Sequence, residues 1–244
     1  AGMAISGLKP VVAIYSTFLQ RGYDQLIHDV AIQNLDVTFA VDRAGIVGAD
    51  GATHTGSFDT NFCRCIPDII IMVPANGQDM FELLNTAYQY SGPALVRYPR
   101  DSTPKPEQID TFNCIELGKA TQVRKGSNTA LLVFGTLLSV ALEVADELDC
   151  SVINMRFIKP IDVAMIIKMA STHSSLVTIE DSAIVGGAGS AVLEVLNENR
   201  LSTPCLRLGL SDTFPSHGTR EQVFEEYGLD KKNIVSSIRN FTSL

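Results

Sequence analysis

The chain has 244 residues, of which 45% are hydrophobic and 19% charged, enough for two ordinary hydrophobic cores. Its formal net charge of −8 argues against a general binder of nucleic acid or acidic membranes, because such surfaces need clustered Lys and Arg. No stretch approaches the roughly 20 consecutive apolar residues that cross a bilayer, so we expect no membrane association. Five cysteines, an odd number without metal-ligand spacing, favour thiols in a reducing compartment over disulfides.

The first half of the chain alternates short apolar runs with amphipathic helical patterns. The apolar runs predict buried strands at residues 11–14, 38–41, 69–73 and 94–96. Between them, residues 17–33 and 78–90 repeat apolar side chains at spacings near three and four, which is typical of helices. Strands that alternate with helices predict a parallel sheet.

A proline-rich polar stretch at residues 99–113 interrupts this pattern and indicates a linker. Beyond it, we predict an edge strand at residues 119–124, further strands at 129–134, 152–155, 176–179 and 205–208, and a helix at 188–199. The sequence therefore predicts an α/β protein of two domains, residues 1–114 and 115–244. Each domain would be a mostly parallel sheet flanked by helices.

Chemically versatile side chains follow the predicted strands of the first domain. Arg43 follows the second strand, Arg100 the fourth, and Arg21 lies in the helix after the first. Because ligands bind outside the carboxyl ends of strands in open α/β sheets, three guanidinium groups there favour an anion site, most simply for phosphate. The alternative is three surface salt bridges. His54, in a glycine-punctuated loop with Asp50, is a candidate for acid–base work, although a loop histidine is often only solvated.

Two aromatic residues at the first strand end and one glycine-rich turn admit two interpretations. Tyr15 and Phe18 could be core residues, but the polar surroundings of Phe18 favour stacking on a planar ligand. The glycine-rich segment at residues 186–189 could cradle a phosphate at a helix start. It fails the spacing of the dinucleotide fingerprint, so we favour a structural turn. We assign no chemistry to His28, His173 or His217.

Several motifs in this order resemble the 1-deoxy-D-xylulose-5-phosphate synthase family, thiamine-diphosphate enzymes of the transketolase superfamily. The matching segments are residues 14–21, 42–51, His54, 97–100, 155–160 and 186–190, and the resemblance covers the whole chain. It implies a pyrimidine-binding domain followed by a transketolase C-terminal domain. Family members condense pyruvate with D-glyceraldehyde 3-phosphate with loss of CO2, and the product feeds isoprenoid, thiamine and pyridoxal synthesis.

The resemblance also implies roles for individual residues. Phe18 would stack on the aminopyrimidine ring of the cofactor. The side chains of Tyr15, Asp50 and His54 would face the substrate and the reaction intermediate. Arg43 and Arg100 would hold the phosphate of the aldehyde, with Arg21 nearby.

Two parts of the family pattern are absent from this sequence. One is the Ala-Glu-Gln-His motif with the catalytic glutamate, and the other is the amino-terminal domain that binds diphosphate through Mg2+ with a Gly-Asp-Gly signature. We therefore expect the chain to be a fragment that does not catalyse alone, to hold no metal itself, and to need the amino-terminal domain of the same protein as its partner.

Other interpretations stay open at this stage. The chain could be another superfamily subunit, such as the beta subunit of a 2-oxoacid dehydrogenase. It could also be a non-catalytic module for dimer assembly, because its mean hydropathy of +0.16 suggests faces buried against missing partners. The family resemblance implies a homodimer in the bacterial cytoplasm, with a plastid as the other possible compartment.

Overall fold

The computed structural model describes residues 1–103 and 113–243, and it contains two five-stranded sheets. The predicted linker lies mostly outside the described residues. Four strands of each sheet run parallel, and one edge strand of each is antiparallel. The predicted α/β class, with two mostly parallel sheets flanked by helices, is confirmed.

The first sheet has the strand order β1-β2-β4-β3-β8. Its strands are β1 (Val11–Tyr15), β2 (Thr38–Asp42), β3 (Ile70–Met72), β4 (Ala94–Arg97) and β8 (Phe157–Lys159). The strand β8 was not predicted, and it joins the first sheet although it lies far along the chain, pairing antiparallel with β3. Three side chains of β8 are too few for a periodic pattern to reveal a strand.

The second sheet has the order β10-β9-β6-β7-β5. Its strands are β5 (Thr121–Arg124), β6 (Thr129–Phe134), β7 (Ser151–Asn154), β9 (Ser175–Ala183) and β10 (Cys205–Leu210). All six residues of β6 are buried, as expected for a central strand covered on both faces. The edge position predicted for the strand at residues 119–124 is confirmed, because β5 pairs only with β7 among the described strands.

Helices flank both sheets. The α-helices are α1 (Gly2–Ile5), α2 (Ser16–Leu19), α3 (Tyr23–Gln25), α4 (Asp59–Arg64), α5 (Gly77–Gln89), α6 (Leu138–Leu148), α7 (Val163–Thr172), α8 (Ala188–Glu198), α9 (Arg220–Glu226) and α10 (Lys231–Thr242). The helix predicted at residues 17–33 is one helical segment of changing type. It passes from α2 through a 3-10 turn at Gln20–Gly22 and then α3 into a π-helix at Leu26–Ala31.

One apolar cluster spans both sheets. It joins Phe39 and Ile71 of the first sheet to Leu132 and Leu176 of the second. The two halves of the chain therefore share buried surface, which the predicted division into two domains does not convey. The boundary after residue 114 itself stays a prediction.

All five cysteines are thiols, as predicted. Among the described residues, none of the helices has the length and apolar character needed to cross a bilayer.

Candidate functional site

The carboxyl ends of β1, β2 and β4 lie side by side at one edge of the first sheet. In the strand register, Tyr15 pairs with Asp42 and Val41 pairs with Arg97. The residues that follow these strands therefore emerge next to one another, as expected where parallel strands end. This edge is where the predicted site residues meet.

A sharp turn after β2 directs Arg43 along this edge. Arg43 has a positive φ of 53°, which is uncommon for a residue other than glycine, and its amide donates to Asp42 Oδ1 at 2.7 Å. Two residues later, Gly45 and Gly56 exchange backbone hydrogen bonds of 2.8 and 2.9 Å. Residues 46–55 thus form a loop closed at its base, and this loop carries Asp50 and His54.

Two of the three predicted arginines converge on one carboxylate. Arg43 Nη1 forms an ion pair with Asp50 Oδ2, and Arg100 Nη1 lies 3.6 Å from Asp50 Oδ1. Arg43 also donates to the Tyr15 hydroxyl at 3.0 Å, and its guanidinium carbon lies 4.2 Å from the centre of the Tyr15 ring. Arg43 Nε is buried without a hydrogen-bond partner among the described residues. Two cations therefore share the carboxylate of Asp50 at this edge of the sheet.

Three predicted ring-bearing residues lie together beside this cluster. The rings of Tyr15 and Phe18 stack with centroids 5.0 Å apart and planes at 24°. His54 meets Phe18 edge to face at 6.0 Å, and its Nδ1 lies 2.9 Å from Thr53 Oγ1. Because Phe18 remains 51% exposed, it is not a core residue, and a planar group can still pack on it.

The third predicted arginine is not part of this cluster. Arg21 lies exposed in the 3-10 turn after α2, and the structure gives it no ion pair or hydrogen bond with the described residues. The six other predicted residues are brought together: Tyr15, Phe18, Arg43, Asp50, His54 and Arg100.

Sequence reasoning missed a buried ion-pair network directly behind the site. Arg97 pairs with Asp59 at 3.0 Å and with Asp181 of β9 at 2.8 Å, and all three side chains are at most 5% exposed. Burial raises the pKa of Asp59. The carboxylates of Asp59 and Asp181 keep the pKa of Arg97 above its usual range. An arginine that ends the apolar strand β4 was the available signal, because buried charges need partners.

Gly45 makes the contact between this network and the loop. A Cβ on Gly45 would lie 2.0 Å from a carboxylate oxygen of Asp181, and the φ of Gly45 is +73°. Only glycine fits there. The second half of the chain thus supports the loop that carries Asp50 and His54.

Residues before and within α9 contact the same loop. A Cβ on Gly48 would lie 2.5 Å from the Arg220 backbone nitrogen, and one on Gly51 would lie 3.0 Å from the His217 ring. His217, to which the sequence assigned no chemistry, therefore packs against the candidate site from the second half of the chain.

The glycine-rich segment at residues 186–189 is a structural turn, as the sequence favoured. Ala188 and Gly189 donate backbone hydrogen bonds of 2.8 Å to the carboxylate of Glu180. The amino terminus of α8 is thus capped by an anion of the protein itself.

The described residues contain no group of three or more His, Cys, Asp or Glu side chains that could hold a metal ion. The exposed ring of Phe18 offers a stacking face for a flat heterocycle. A cofactor that combines a pyrimidine with a metal-bound diphosphate could therefore place its pyrimidine ring at this edge of the sheet.

Two family models match the chain. Residues 1–106 match the pyrimidine binding domain of transketolase, and residues 118–234 match the transketolase C-terminal domain. The chain belongs to the transketolase family. The resemblance seen in the sequence is thereby confirmed.

Curated relatives of this transketolase-family chain are named 1-deoxy-D-xylulose-5-phosphate synthase. The relative from Hahella chejuensis is 54% identical over 98% of the chain, and one from Haemophilus influenzae is 55% identical over 98%. The chain spans only 37% and 38% of the length of these two relatives.

Solved structures agree with this placement. A split gene transketolase, described as an inactive beta4 tetramer, matches all of the chain and 79% of its own length, with a TM-score of 0.89 and 27% identity. A transketolase from Campylobacter jejuni matches 96% of the chain and 36% of its own length, with a TM-score of 0.75 and 18% identity, and so shares the fold.

Proposed function

We propose that the chain is the carboxyl-terminal part of a 1-deoxy-D-xylulose-5-phosphate synthase, which condenses pyruvate with D-glyceraldehyde 3-phosphate and releases CO2. The observation that carries this proposal is the meeting of Arg43 and Arg100 on Asp50 beside the exposed ring of Phe18. It combines a site for a phosphorylated substrate with a stacking face for a heterocycle. The names of the relatives supply the product, and the family resemblance supplies the two substrates.

In this proposal, the phosphate of the aldehyde binds between the two guanidinium groups. Arginine suits phosphate because its planar fork donates two parallel hydrogen bonds. Asp50 forms ion pairs with both arginines in the structure, so a phosphate must share them with that carboxylate. The unpartnered Nε of Arg43 supplies a further donor. Arg21, which lies outside this cluster, would contribute only long-range positive charge.

The remaining residues orient the reacting groups and handle protons. Phe18, backed by the ring of Tyr15, holds the aminopyrimidine of thiamine diphosphate. The contact between Thr53 and Nδ1 of His54 leaves Nε2 of that ring to exchange a proton with the substrate. When bound, thiamine diphosphate supplies the group that attacks the carbonyl of pyruvate and accepts electrons as CO2 leaves.

We assign Mg2+ and the diphosphate to an amino-terminal domain outside this chain, as the resemblance implied, because the chain spans only 37% and 38% of the length of the two relatives. That domain and a second copy of the chain are the partners that the proposal requires. It places the protein in the bacterial cytoplasm, as the resemblance implied. Without the charged anchor for the diphosphate, the 244-residue chain alone should show no turnover.

The anion site is tested with inorganic phosphate and the 244-residue chain by isothermal titration calorimetry at fixed ionic strength. Arg43→Ala and Arg100→Ala should each weaken binding at least about tenfold, because each removes a charged donor. Arg239→Ala is the matched control, since Arg239 pairs with Glu147 in α6 and should leave the affinity unchanged. Equal affinities for all four proteins would refute the anion site.

The reaction is tested by CO2 release from pyruvate with thiamine diphosphate, Mg2+ and D-glyceraldehyde 3-phosphate. The chain fused behind the amino-terminal part of the Haemophilus influenzae relative should turn over, whereas the chain alone should not. Turnover by the isolated chain would overturn the assignment of the metal and diphosphate to another domain. No turnover by a folded fusion would overturn the proposed reaction.

A second candidate function follows from the match to the split gene transketolase, which covers most of both proteins. In this alternative, the chain is a separate subunit, like the beta subunit of a 2-oxoacid dehydrogenase, or a module for dimer assembly. A 2-oxoacid dehydrogenase subunit would act on an acceptor without phosphate, and an assembly module would act on none. Either would bind inorganic phosphate equally well with and without Arg43, and a strictly monomeric chain in light scattering would count against the assembly module.

A further inference from the structure

The proposed anion site is built on two separate segments whose spacing must be fixed by something else. Asp50 lies on the loop at residues 46–55, whereas Arg100 lies on the segment that follows β4. Their direct contact is one ion pair of 3.6 Å in which the Arg100 side chain is 59% exposed. Exposed pairs of this kind contribute at most about 1 kcal/mol, so this contact alone cannot hold the geometry.

Arg220, the first residue of α9, contacts the segment that carries Arg100. Its Nη1 forms an ion pair with Asp101, the residue next to Arg100. Its Nη2 donates to Thr136 Oγ1 at 3.0 Å, and its guanidinium carbon lies 4.9 Å from the centre of the Phe224 ring. The Arg220 side chain is only 16% exposed. Arg220 is therefore fixed by its own half of the chain while it holds Asp101.

The backbone of the same residue contacts the segment that carries Asp50. A Cβ on Gly48 would lie 2.5 Å from Arg220 N and 2.8 Å from the Thr219 carbonyl carbon, so the two backbones are packed without space between them. Thr219 caps α9 through a capping box with Gln222, which fixes the direction of this backbone.

We propose that Arg220 is a positioning residue that couples the two halves of the anion site. Its backbone supports the loop of Asp50, and its guanidinium holds the segment of Arg100 through Asp101. The distance between Asp50 and Arg100 thus depends on a residue from the second half of the chain whose ion pair is with Asp101 and not with either of them. This inference rests on the proposed function, because it concerns how the same site recognises a phosphorylated acceptor.

The experiment measures the affinity of the 244-residue chain for inorganic phosphate by isothermal titration calorimetry at fixed ionic strength. Arg220→Ala should weaken binding about tenfold, or about 1.4 kcal/mol, because Arg100 is no longer held. Arg220→Lys should restore part of the affinity, since it can still pair with Asp101. Arg239→Ala is the control, and the unfolding midpoint in urea separates loss of fold from loss of site.

A second variant keeps the test decisive if Arg220→Ala does not fold. Asp101 is 45% exposed, so Asp101→Asn should fold normally while it removes the same ion pair. It should weaken phosphate binding to a similar degree, and combining it with Arg220→Ala should add little, because both changes break one link. Additive effects, or wild-type affinity in Asp101→Asn, would overturn the coupling.

The outcomes separate this inference from the proposed function. If Arg43→Ala loses phosphate binding while Arg220→Ala and Asp101→Asn bind normally, the anion site stands and the positioning role fails. If Arg43→Ala binds phosphate as well as the wild-type chain does, the anion site itself fails. In a catalytic fusion, loss of Arg220 should raise KM for the phosphorylated aldehyde more than KM for pyruvate.

Discussion

At the scale of single residues, Arg97 is a charged side chain buried in the interior of the protein. It is one cation between two carboxylates, Asp59 and Asp181, and all three are buried. Taking charges out of water is costly, and only close pairing offsets that cost. The network connects the end of β4 to α4 and to β9, so it contributes both to stability and to the support of the candidate site.

Arg97→Met should lower the free energy of unfolding by roughly 3–5 kcal/mol, because it leaves two buried carboxylates without their partner. Arg239→Met, which removes a pair that is 62% and 41% exposed, should cost at most about 1 kcal/mol. Urea denaturation of the two variants and the wild-type chain measures the difference. Adding Asp59→Asn and Asp181→Asn to Arg97→Met should recover part of the loss, and no recovery would contradict this explanation.

The cysteines should differ sharply in reactivity. Burial raises the pKa values of the Cys150 and Cys205 thiols to about 11, and Cys63 is fully buried with its pKa raised further. Cys65 and Cys114 are exposed. At pH 8, iodoacetamide should therefore modify Cys65 and Cys114 first, since the thiolate is the nucleophile. Peptide mass spectrometry over time gives the order, and early modification of Cys63 would contradict it.

At the scale of elements, a buried carboxyl group at the junction of β9 and α8 caps the amino terminus of the helix. Glu180 is 1% exposed and accepts from the first two backbone amides of α8 and from Ser182. Burial raises the pKa of Glu180 in spite of these hydrogen bonds. The unfolded chain therefore releases this proton at lower pH than the folded chain does.

Glu180→Gln should consequently change the pH dependence of stability. The contribution of a group with a raised pKa is fully present below its ordinary pKa of 4.5 and is lost as the pH rises through the folded value. The difference in melting temperature, wild type minus Glu180→Gln, should thus decrease as the pH rises above about 4.5. Thermal unfolding between pH 4 and 8 measures it, and a constant difference would show that Glu180 does not titrate in this way.

Most elements could be predicted from the sequence because their apolar runs are long enough to show a period. The predicted strands at residues 38–41 and 129–134 and the helix at 188–199 all appear within one or two residues of their predicted ends. The strand predicted to end at residue 179 continues to Ala183. The prediction stopped too early because Glu180, Asp181 and Ser182 are polar residues, although they are buried in the structure. Their burial depends on Arg97 and α8, which no local pattern can reveal.

At the scale of the whole molecule, the strand β8 connects the two halves most directly. It extends the first sheet with residues from beyond the predicted boundary, and Phe157 packs in the small cluster around Met72 and Leu83. Lys159 Nζ donates a hydrogen bond of 3.3 Å to the carbonyl of Arg64, the last residue of α4. The first sheet is therefore incomplete without the second half of the chain.

A polypeptide of residues 1–114 should consequently not fold as a stable monomer, although it contains the predicted first domain. It would expose the edge of β3 and the apolar surface that Phe157 and Ile158 cover, and such edges promote aggregation. Size-exclusion chromatography and circular dichroism, with the 244-residue chain as the control, give the answer. A monomeric 1–114 polypeptide with cooperative unfolding would contradict the structural importance of β8.

The candidate site likewise consists of residues that the sequence could reveal and residues that it could not. The residues at the ends of β1, β2 and β4 could be found from the sequence, because parallel strands end at a common edge. Asp181, His217 and Arg220, which support them, come from distant positions and could not. Their side chains become adjacent to the edge only through the packing of the two sheets.

The contact between Gly45 and Asp181 limits how such proteins can recombine. A chimaera that joins the first half of this chain to the second half of a relative would succeed only if the relative has a side chain of the same length and charge at the position of Asp181. A crossover in the linker interrupts no helix or strand, yet it takes Gly45 and Asp181 from different parents although the two residues must fit each other. We expect that functional variants selected from a library of shuffled genes carry these two residues as a pair.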